Sequence, residues 1–246
     1  GLKTLKEYPY YFQFTLNPYG RDVEQALPDK EEIIDTFKRL ADMIGGSRVI
    51  WRYDPILFNG KYNFRYHAEN FARIAKSLSG YTEKVMVGFL EIYRRTEKNI
   101  QEYQFMLPND EVKRAIMREF AAVARHYGMQ VNTCAGSMDL SEYGISRGSC
   151  IDKHFIESII GCGLNLEKDK NQRSNCGCVE SVDIGAYNSC AHGCVYCYAA
   201  YERETIRRKN SCYDPMSPLL VETYGNSDVI KDKPVSSNRN MMSSLF

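Results

Sequence analysis

The chain has 246 residues, of which 43% are hydrophobic and 26% are charged, so it can bury a core as one large domain or two small ones. Lys and Arg total 32 against 31 Asp and Glu, and this near balance provides no global field to attract nucleic acid or an anionic membrane. No apolar run approaches the roughly 20 residues of a membrane helix and no secretory leader opens the sequence, so we expect a cytoplasmic protein without a membrane partner.

The first half of the chain repeats one pattern, in which a short run of β-branched and aromatic residues is followed by a loop and an amphipathic helix. The runs begin about 40 residues apart, which leaves room for a strand, a helix and two loops. The predicted strands occupy residues 10–17, 48–57, 84–93 and 129–135.

Three helices are predicted between these strands, because apolar residues recur at helical spacing over 33–44, 64–78 and 112–127. Asp29 and Glu32 are placed to cap the first helix. Parallel strands wrapped by helices indicate an α/β fold, and the repeated units predict a partial (β/α) barrel of the TIM type. A closed barrel needs eight units and the chain begins with Gly1, so we expect a barrel truncated at its N-terminus.

The sequence divides into three regions. Residues 1–136 carry the barrel-like units, residues 137–224 form a cysteine-rich segment expected to pack on the barrel, and residues 225–246 are a polar tail. Within the cysteine-rich segment a short helix is predicted at 152–160, and residues 165–178 form a loop that could deliver ligands.

The cysteines suggest a metal site. There are nine, mostly at short spacings in the second half, which suits reduced metal ligands better than a disulfide framework. Cys190, Cys194 and Cys197 form C-x3-C-x2-C in the stretch SCAHGCVYCYA. One loop of this kind can hold three corners of an iron–sulfur cubane and leave one iron open, whereas a closed site needs four protein ligands. The alternatives are a zinc knuckle completed by His192 or a distant cysteine, and chance clustering of buried thiols.

At these residues the sequence resembles the radical S-adenosylmethionine (SAM) enzymes, whose signature is CxxxCxφC with an aromatic φ, here Tyr196. The resemblance implies a 4Fe-4S cluster on the three thiolates, SAM on the open iron and Tyr196 near the adenine. Reductive cleavage of SAM would then yield a 5′-deoxyadenosyl radical that abstracts hydrogen from a substrate. The usual members carry the motif after the first barrel strand, whereas here it follows the barrel-like units, which implies a permuted or independently evolved arrangement.

The wider run CGCVESVDIGAYNSCAHGCVYCYA, together with RVIWRYDP, CIDKHFIESIIG and the closing SLF, is similar to an uncharacterised bacterial family of domain-of-unknown-function proteins. That family has a radical-SAM-like cysteine cluster near the C-terminus, and the similarity covers nearly the whole chain. It supports the cofactor and leaves the substrate and the reaction open.

Four more cysteines have positions that suit a second site. Cys134 would end the fourth strand at the mouth of the barrel, where such folds place their chemistry. Cys150 precedes a predicted helix, and Cys176 and Cys178 form C-x-C upstream of the main motif. Together they would bind an auxiliary iron–sulfur cluster or a structural zinc, and the alternative is that they are buried or unlinked thiols.

Polar residues supply the remaining candidates. Arg52 and Asp54 share one face near the end of the second strand, where they would contact substrate or SAM, or else form a structural ion pair. Asp183 precedes the cysteine motif, where it would accept hydrogen bonds from the SAM hydroxyls or cap a turn.

These observations predict a cytoplasmic radical SAM-like enzyme of unknown substrate, with a small electron donor of the flavodoxin or ferredoxin type as partner. The alternatives are a zinc-binding interaction protein and an iron–sulfur electron-transfer protein without SAM chemistry. The closing residues Ser244, Leu245 and Phe246 resemble the end of peptides that dock on bacterial DNA sliding clamps, which would add a clamp on nucleic acid as a partner. The alternative for these residues is a frayed terminus.

Overall fold

The computed structural model describes residues 2–240, apart from residues 6, 135, 137, 222, 223, 233 and 235. Within this part of the chain, one all-parallel sheet has five strands in sequence order. The strands are β1 (Phe12–Thr15), β2 (Val49–Ile56), β3 (Lys84–Phe89), β4 (Gln130–Cys134) and β5 (Ser146–Gly148). The first four confirm the predicted strands, whereas β5 is too short and polar to be predicted from an apolar alternation.

Helices connect the strands and follow the sheet. They are α1 (Lys30–Ile44), α2 (Phe64–Leu78), α3 (Glu97–Glu102), α4 (Asp110–His126), α5 (Lys153–Ile160) and α6 (Arg203–Ser211). Asn63, Asn109 and Asp152 cap α2, α4 and α5, because each side chain accepts a backbone N–H three residues later, at 3.1, 2.9 and 3.0 Å. The predicted cap of α1 is wrong: Asp29 makes no capping hydrogen bond, and its carboxylate lies 3.5 Å from Arg21 Nη2.

The apolar core lies on one face of the sheet, against α1, α2 and α4. Trp51 and Tyr53 of β2 are fully buried there, and their rings meet edge to face with centroids 5.7 Å apart. Phe71 of α2 and Phe120 of α4 stack with centroids 3.8 Å apart, which joins the two helices. Burial of these large rings contributes much of the stability of the fold and holds the strand ends in place.

The opposite face of the sheet is more polar. Side chains alternate along a strand and parallel register aligns them across strands, so Thr15, Arg52 and Met86 stand side by side on this face. Gly148 packs closely on it, since a Cβ at Gly148 would lie 2.8 Å from Met86 Cε. The segment from Gly148 into α5 therefore covers part of this face.

The prediction of a partial (β/α) barrel of the TIM type is wrong. In the described residues β1 pairs only with β2 and β5 pairs only with β4, so the sheet is open. A barrel closes when its first and last strands pair, and the TIM fold reaches closure with eight units. After β5 the described chain continues as loops, α5 and α6 and adds no strand to this sheet. The polar face, which a barrel would enclose, is instead partly covered by the cysteine-rich segment.

Three further expectations from the sequence can be compared with the described residues. No helix in the described residues is long and apolar enough to cross a membrane. The residues that suggested a sliding-clamp peptide, 244–246, lie outside the described part of the chain. The helix predicted at 152–160 is confirmed as α5.

Candidate functional site

The cysteine motif lies on a loop, residues 189–199, which we call the cysteine loop and which is anchored to the connection between β1 and α1. Val195 N–H donates to the Val23 carbonyl at 3.0 Å, and Ala26 N–H donates to the His192 carbonyl at 2.9 Å. From the other side, the Asn99 amide donates to the Val195 carbonyl at 2.9 Å. The connection after β1 leaves the carboxyl edge of the sheet, so the cysteine loop lies where open α/β sheets bind their ligands.

The three thiols of the motif differ in exposure. Cys190 is exposed, whereas Cys194 and Cys197 are half-buried and are joined by a turn in which Cys197 N–H donates to the Cys194 carbonyl at 3.0 Å. Burial raises the pKa of Cys194 to about 12, and the Glu24 carboxylate and the other two thiols add to the increase. Ionising all three thiols would therefore require a nearby positive charge, which a metal cluster would supply.

The donor set fits a 4Fe-4S cluster in kind and number, because three thiols on one short loop leave one iron position open. Within the described residues, no three His, Cys, Asp or Glu side chains converge closely enough to hold a metal ion. The fit to a cluster therefore rests on the identity and spacing of the thiols.

Tyr196 points from the cysteine loop into the space between β1 and α1. Its hydroxyl donates to the Glu24 carboxylate and accepts from the Asn17 amide at 3.2 Å, while Glu24 also pairs with Lys30. Burial and the Glu24 charge raise the pKa of Tyr196 well above its ordinary value, so the phenol stays neutral and can donate. A pocket of about 370 Å³, which we call the Tyr196 pocket, opens beside it and is also lined by Cys194.

Asp183 is not part of this arrangement. It is exposed, and its carboxylate accepts from Gly185 N–H at 2.7 Å, which closes a local turn. It does not line the Tyr196 pocket. Of the two roles predicted for Asp183, the geometry matches the turn cap.

Arg52 and Asp54 form an ion pair on the polar face of the sheet. Arg52 Nη1 also donates to Gln13 Oε1 at 2.9 Å and to Cys150 Sγ at 3.0 Å. Gly88 of the neighbouring strand leaves room for Asp54, because a Cβ at Gly88 would lie 2.6 Å from Asp54 Oδ1. The guanidinium is thereby fixed between a carboxylate and a thiol.

The other four predicted ligands lie in the region of this ion pair as two pairs, Cys134 with Cys150 and Cys176 with Cys178, and we call them the four-cysteine site. The Sγ atoms of Cys134 and Cys150 are 3.3 Å apart, and Ile151 N–H donates to Cys178 Sγ at 3.3 Å. Burial raises the pKa of Cys178 to about 11, and its contact with the Cys176 thiol and the nearby Cys150 thiol add to the increase. The structure thus brings the Cys134 and Cys150 thiols into contact and places Cys176 and Cys178 in the same region, but no three of the described thiols lie close enough together to hold a metal ion.

The electrostatics of Cys150 differ from those of its neighbours. The hydrogen bond with the Cys134 thiol and the charge and hydrogen bond of Arg52 lower the pKa of Cys150, against the effect of burial. A thiolate is the form in which cysteine binds metals. Arg52 therefore shifts Cys150 toward the thiolate form.

A pocket of about 440 Å³ lies over the polar face of the sheet, and we call it the sheet pocket. Arg52, Asp54 and Cys150 line it, and so does Tyr198. Tyr198 follows Cys197 on the cysteine loop, and its ring packs against Tyr93 with centroids 4.8 Å apart. The sheet pocket therefore lies between the four-cysteine site and the cysteine loop.

Three residues of the site are not among those that the sequence analysis predicted. Tyr198 carries a usable signal, since it directly follows the last cysteine of the motif. Glu24, which contacts Tyr196, and Gly88, which leaves room for Asp54, belong to distant segments and carry none. Only the folded chain brings them to the site.

Comparison with known proteins places the chain in a family context. A family model described as a domain of unknown function (DUF1848) matches residues 1–199. No curated protein and no solved structure matches the chain. The matched range includes the whole sheet, the four-cysteine site and the cysteine loop, and it ends before α6.

Proposed function

The chain belongs to the family described as a domain of unknown function (DUF1848), and we propose from its own site that it is a radical SAM-like enzyme. In this proposal Cys190, Cys194 and Cys197 hold a 4Fe-4S cluster. The observation that carries it is the anchoring of the cysteine loop at the carboxyl edge of the sheet, through Val195 N–H and the Val23 carbonyl. Ligands of open α/β sheets bind at this edge.

As the resemblance implies, a 4Fe-4S cluster held by Cys190, Cys194 and Cys197 and reduced by one electron would supply the chemistry, which is reductive cleavage of SAM to methionine and a 5′-deoxyadenosyl radical for hydrogen abstraction from substrate. The protein supplies binding, orientation and exclusion of water. An electron donor of the flavodoxin or ferredoxin type and a cytoplasmic setting belong to the same proposal.

The Tyr196 pocket is the proposed SAM site. Tyr196 offers an aromatic ring beside Cys194, and aromatic rings bind flat heterocycles such as adenine by stacking. Its neutral hydroxyl is held by Glu24 and Asn17, so the ring orientation is set before SAM arrives. The Glu24 carboxylate, which is also paired with Lys30, lines the same pocket.

The sheet pocket is the proposed substrate site. Arg52 is fixed by its ion pair with Asp54 and by its hydrogen bond to Gln13, so it can orient a polar substrate without moving first. Tyr198 extends from the cysteine loop into this pocket. A substrate bound there would lie next to the segment that carries the cluster.

The four-cysteine site is proposed to hold a second iron–sulfur cluster or a structural zinc. Four thiols close a metal site and leave no coordination position for SAM. Their place beside the sheet pocket suits an electron relay or a structural clamp.

The test is a SAM cleavage assay on anaerobically purified protein reduced with dithionite. Wild type is expected to form 5′-deoxyadenosine, and Cys190→Ala, Cys194→Ala and Cys197→Ala should each abolish it, because two thiolates cannot hold the cubane with one iron open. Cys212→Ala is the matched control, since Cys212 is exposed at the end of α6.

Each alternative function predicts a different combination of metal content and SAM cleavage. A colourless protein with stoichiometric zinc would indicate a zinc-binding interaction protein. An iron-loaded protein that forms no 5′-deoxyadenosine would indicate electron transfer without SAM chemistry. Full activity in any one of the three cysteine variants would refute the ligand assignment.

A further inference from the structure

A second large cavity lies on the other side of the cysteine loop, between α3 and α6. Its volume is about 590 Å³, within the range of small-molecule sites in proteins. Cys194 and Cys197 form part of its floor. We call it the basic pocket, because its lining includes four cationic side chains, those of Arg95, Lys98, Arg203 and Arg207.

The charges of the basic pocket are not neutralised by the protein. Glu102 is the single carboxylate among the lining residues, and none of the four cations has a carboxylate partner within ion-pair distance in the described part of the chain. All four cations are exposed and therefore solvated, and together they give the pocket a positive potential that would attract an anion.

Neutral groups hold two of the guanidinium groups in place. The Arg95 guanidinium carbon lies 4.6 Å from the ring centroid of Tyr201 and 5.3 Å from that of Tyr187. Arg203 Nη2 donates to the Gln25 side-chain oxygen at 3.1 Å. Cation–π contacts and amide hydrogen bonds position a guanidinium without removing its charge, so both groups remain able to bind an anion.

We propose that the basic pocket binds the phosphate groups of an anionic ligand. A single carboxylate would neutralise only part of the excess positive charge, whereas a diphosphate brings several negative charges and oxygens that match the planar fork of arginine. SAM itself is a poor occupant, because its sulfonium and ammonium groups would be repelled. The inference goes beyond the proposed function, since none of these four side chains takes part in the proposed SAM chemistry.

The test is binding of inorganic pyrophosphate to the full chain at low salt, measured by calorimetry without reductant or SAM. We expect a dissociation constant of about 1 mM or lower, and at least about a tenfold weakening in the double variant Lys98→Gln/Arg207→Gln. The matched control is Arg118→Gln/Lys170→Gln, which removes the same charge from exposed positions outside the pocket and should bind pyrophosphate as wild type does.

A second arm distinguishes a small phosphate compound from a nucleic-acid backbone. A fluorescent single-stranded oligonucleotide is titrated with the protein, and pyrophosphate is then added as competitor. Binding of pyrophosphate alone supports a small phosphorylated ligand, and oligonucleotide binding that the Lys98→Gln/Arg207→Gln variant loses supports a nucleic-acid source.

Two outcomes would overturn the proposal. One is that neither pyrophosphate, at concentrations up to about 10 mM, nor the oligonucleotide binds to the protein. The other is equal weakening in the pocket variant and in the surface control, which would show only a general charge effect. Because Cys194 and Cys197 line the pocket, both probes are titrated against iron-free and iron-reconstituted protein, and SAM cleavage is measured separately, so failure of this inference is distinguishable from failure of the proposed function.

Discussion

The sulfur of Cys134, at the end of β4, lies 3.3 Å from the sulfur of Cys150, which follows β5. Both cysteines are free. The contact results from the parallel pairing of the two strands, in which Cys134 is aligned with Gly148. Cys178 approaches the same place by accepting from Ile151 N–H, so the four-cysteine site is built on the edge of the sheet.

The first prediction concerns metal content. Anaerobically reconstituted protein is expected to carry about eight irons, and the double variant Cys176→Ser/Cys178→Ser should carry about four, because the four-cysteine site would lose two ligands. Iron analysis and visible absorption measure both values. The exposed Cys212 gives the control Cys212→Ser, which should keep all the iron.

Two results would change the assignment of the four-cysteine site. If wild type saturates near four irons and the double variant keeps them all, these cysteines hold no iron–sulfur cluster. One equivalent of zinc alongside four irons would instead identify a structural zinc.

The second prediction separates SAM binding from cluster binding at Tyr196. Tyr196→Ala should keep the iron content of wild type and weaken SAM binding by about tenfold, since the ring would contribute contact with adenine and no bond to iron. Tyr196→Phe keeps the ring but removes the hydroxyl that contacts Glu24 and Asn17, so its effect on SAM binding should be smaller. Equilibrium binding of SAM to the reconstituted variants tests the order. Loss of iron from Tyr196→Ala would show that Tyr196 is a packing residue of the loop.

The third prediction concerns the space that Gly88 leaves for Asp54. In Gly88→Ala the new Cβ would lie 2.6 Å from Asp54 Oδ1, so the carboxylate must shift and its ion pair with Arg52 is perturbed, at a cost of about 1–2 kcal/mol in the free energy of unfolding. The Asp54→Ala background should remove most of this cost, because the clashing oxygen is then absent. Gly60→Ala is the control, with no atom within 4 Å of the added Cβ. Urea unfolding of Gly88→Ala, Asp54→Ala, the double variant and Gly60→Ala measures these costs. An equal cost of Gly88→Ala in the presence and absence of the Asp54 carboxylate would contradict the prediction.

The fourth prediction is a pH dependence of stability that originates at His67. The ring is fully buried, its Nε2 lies 2.6 Å from the Leu57 carbonyl oxygen and its Nδ1 lies 2.8 Å from the Tyr53 hydroxyl. Because a carbonyl only accepts, Nε2 carries the proton and Nδ1 accepts from Tyr53. Burial lowers the pKa of His67 from 6.5 to about 4.

The lowered pKa of His67 determines whether stability rises or falls with pH. Between pH 6.5 and about 4 the unfolded chain binds a proton at His67 that the folded chain does not, so the free energy of unfolding falls as the pH falls through this range. The contribution is about 3 kcal/mol in total. His67→Gln should flatten this part of the pH profile, whereas His126→Gln, at an exposed position on α4, should leave it unchanged. Parallel profiles for His67→Gln and wild type would contradict the prediction.

Much of the secondary structure could be predicted from the sequence, because its signals are local. The apolar spacing of α2 and α4 marks both helices, and the β-branched and aromatic runs mark the first four strands. The helix cap predicted at Asp29 shows the limit of prediction from local sequence. Its side chain has the right identity and position, yet it makes no capping hydrogen bond and lies near Arg21 instead, a partner that depends on how the loop before α1 folds.

Some features of the candidate site can likewise be predicted from the sequence, and others cannot. The spacing of Cys190, Cys194 and Cys197 is a property of one loop and is visible in the sequence. The partners of Tyr196 and the basic pocket are not visible, because Glu24 and Asn17 come from the connection after β1 and the pocket walls come from α3 and α6. No local pattern links these segments.

The sequence by itself determined the α/β class, the order of the first four strands and the identity of the clustered thiols, because periodicity and ligand spacing act over short stretches of chain. Only the tertiary structure decided that the sheet stays open, that Cys134 meets Cys150, and that Cys178 accepts from the neighbouring Ile151 N–H. Those outcomes depend on which distant segments pair and pack, and the free energy of such contacts depends on the whole fold and not on any single stretch of residues.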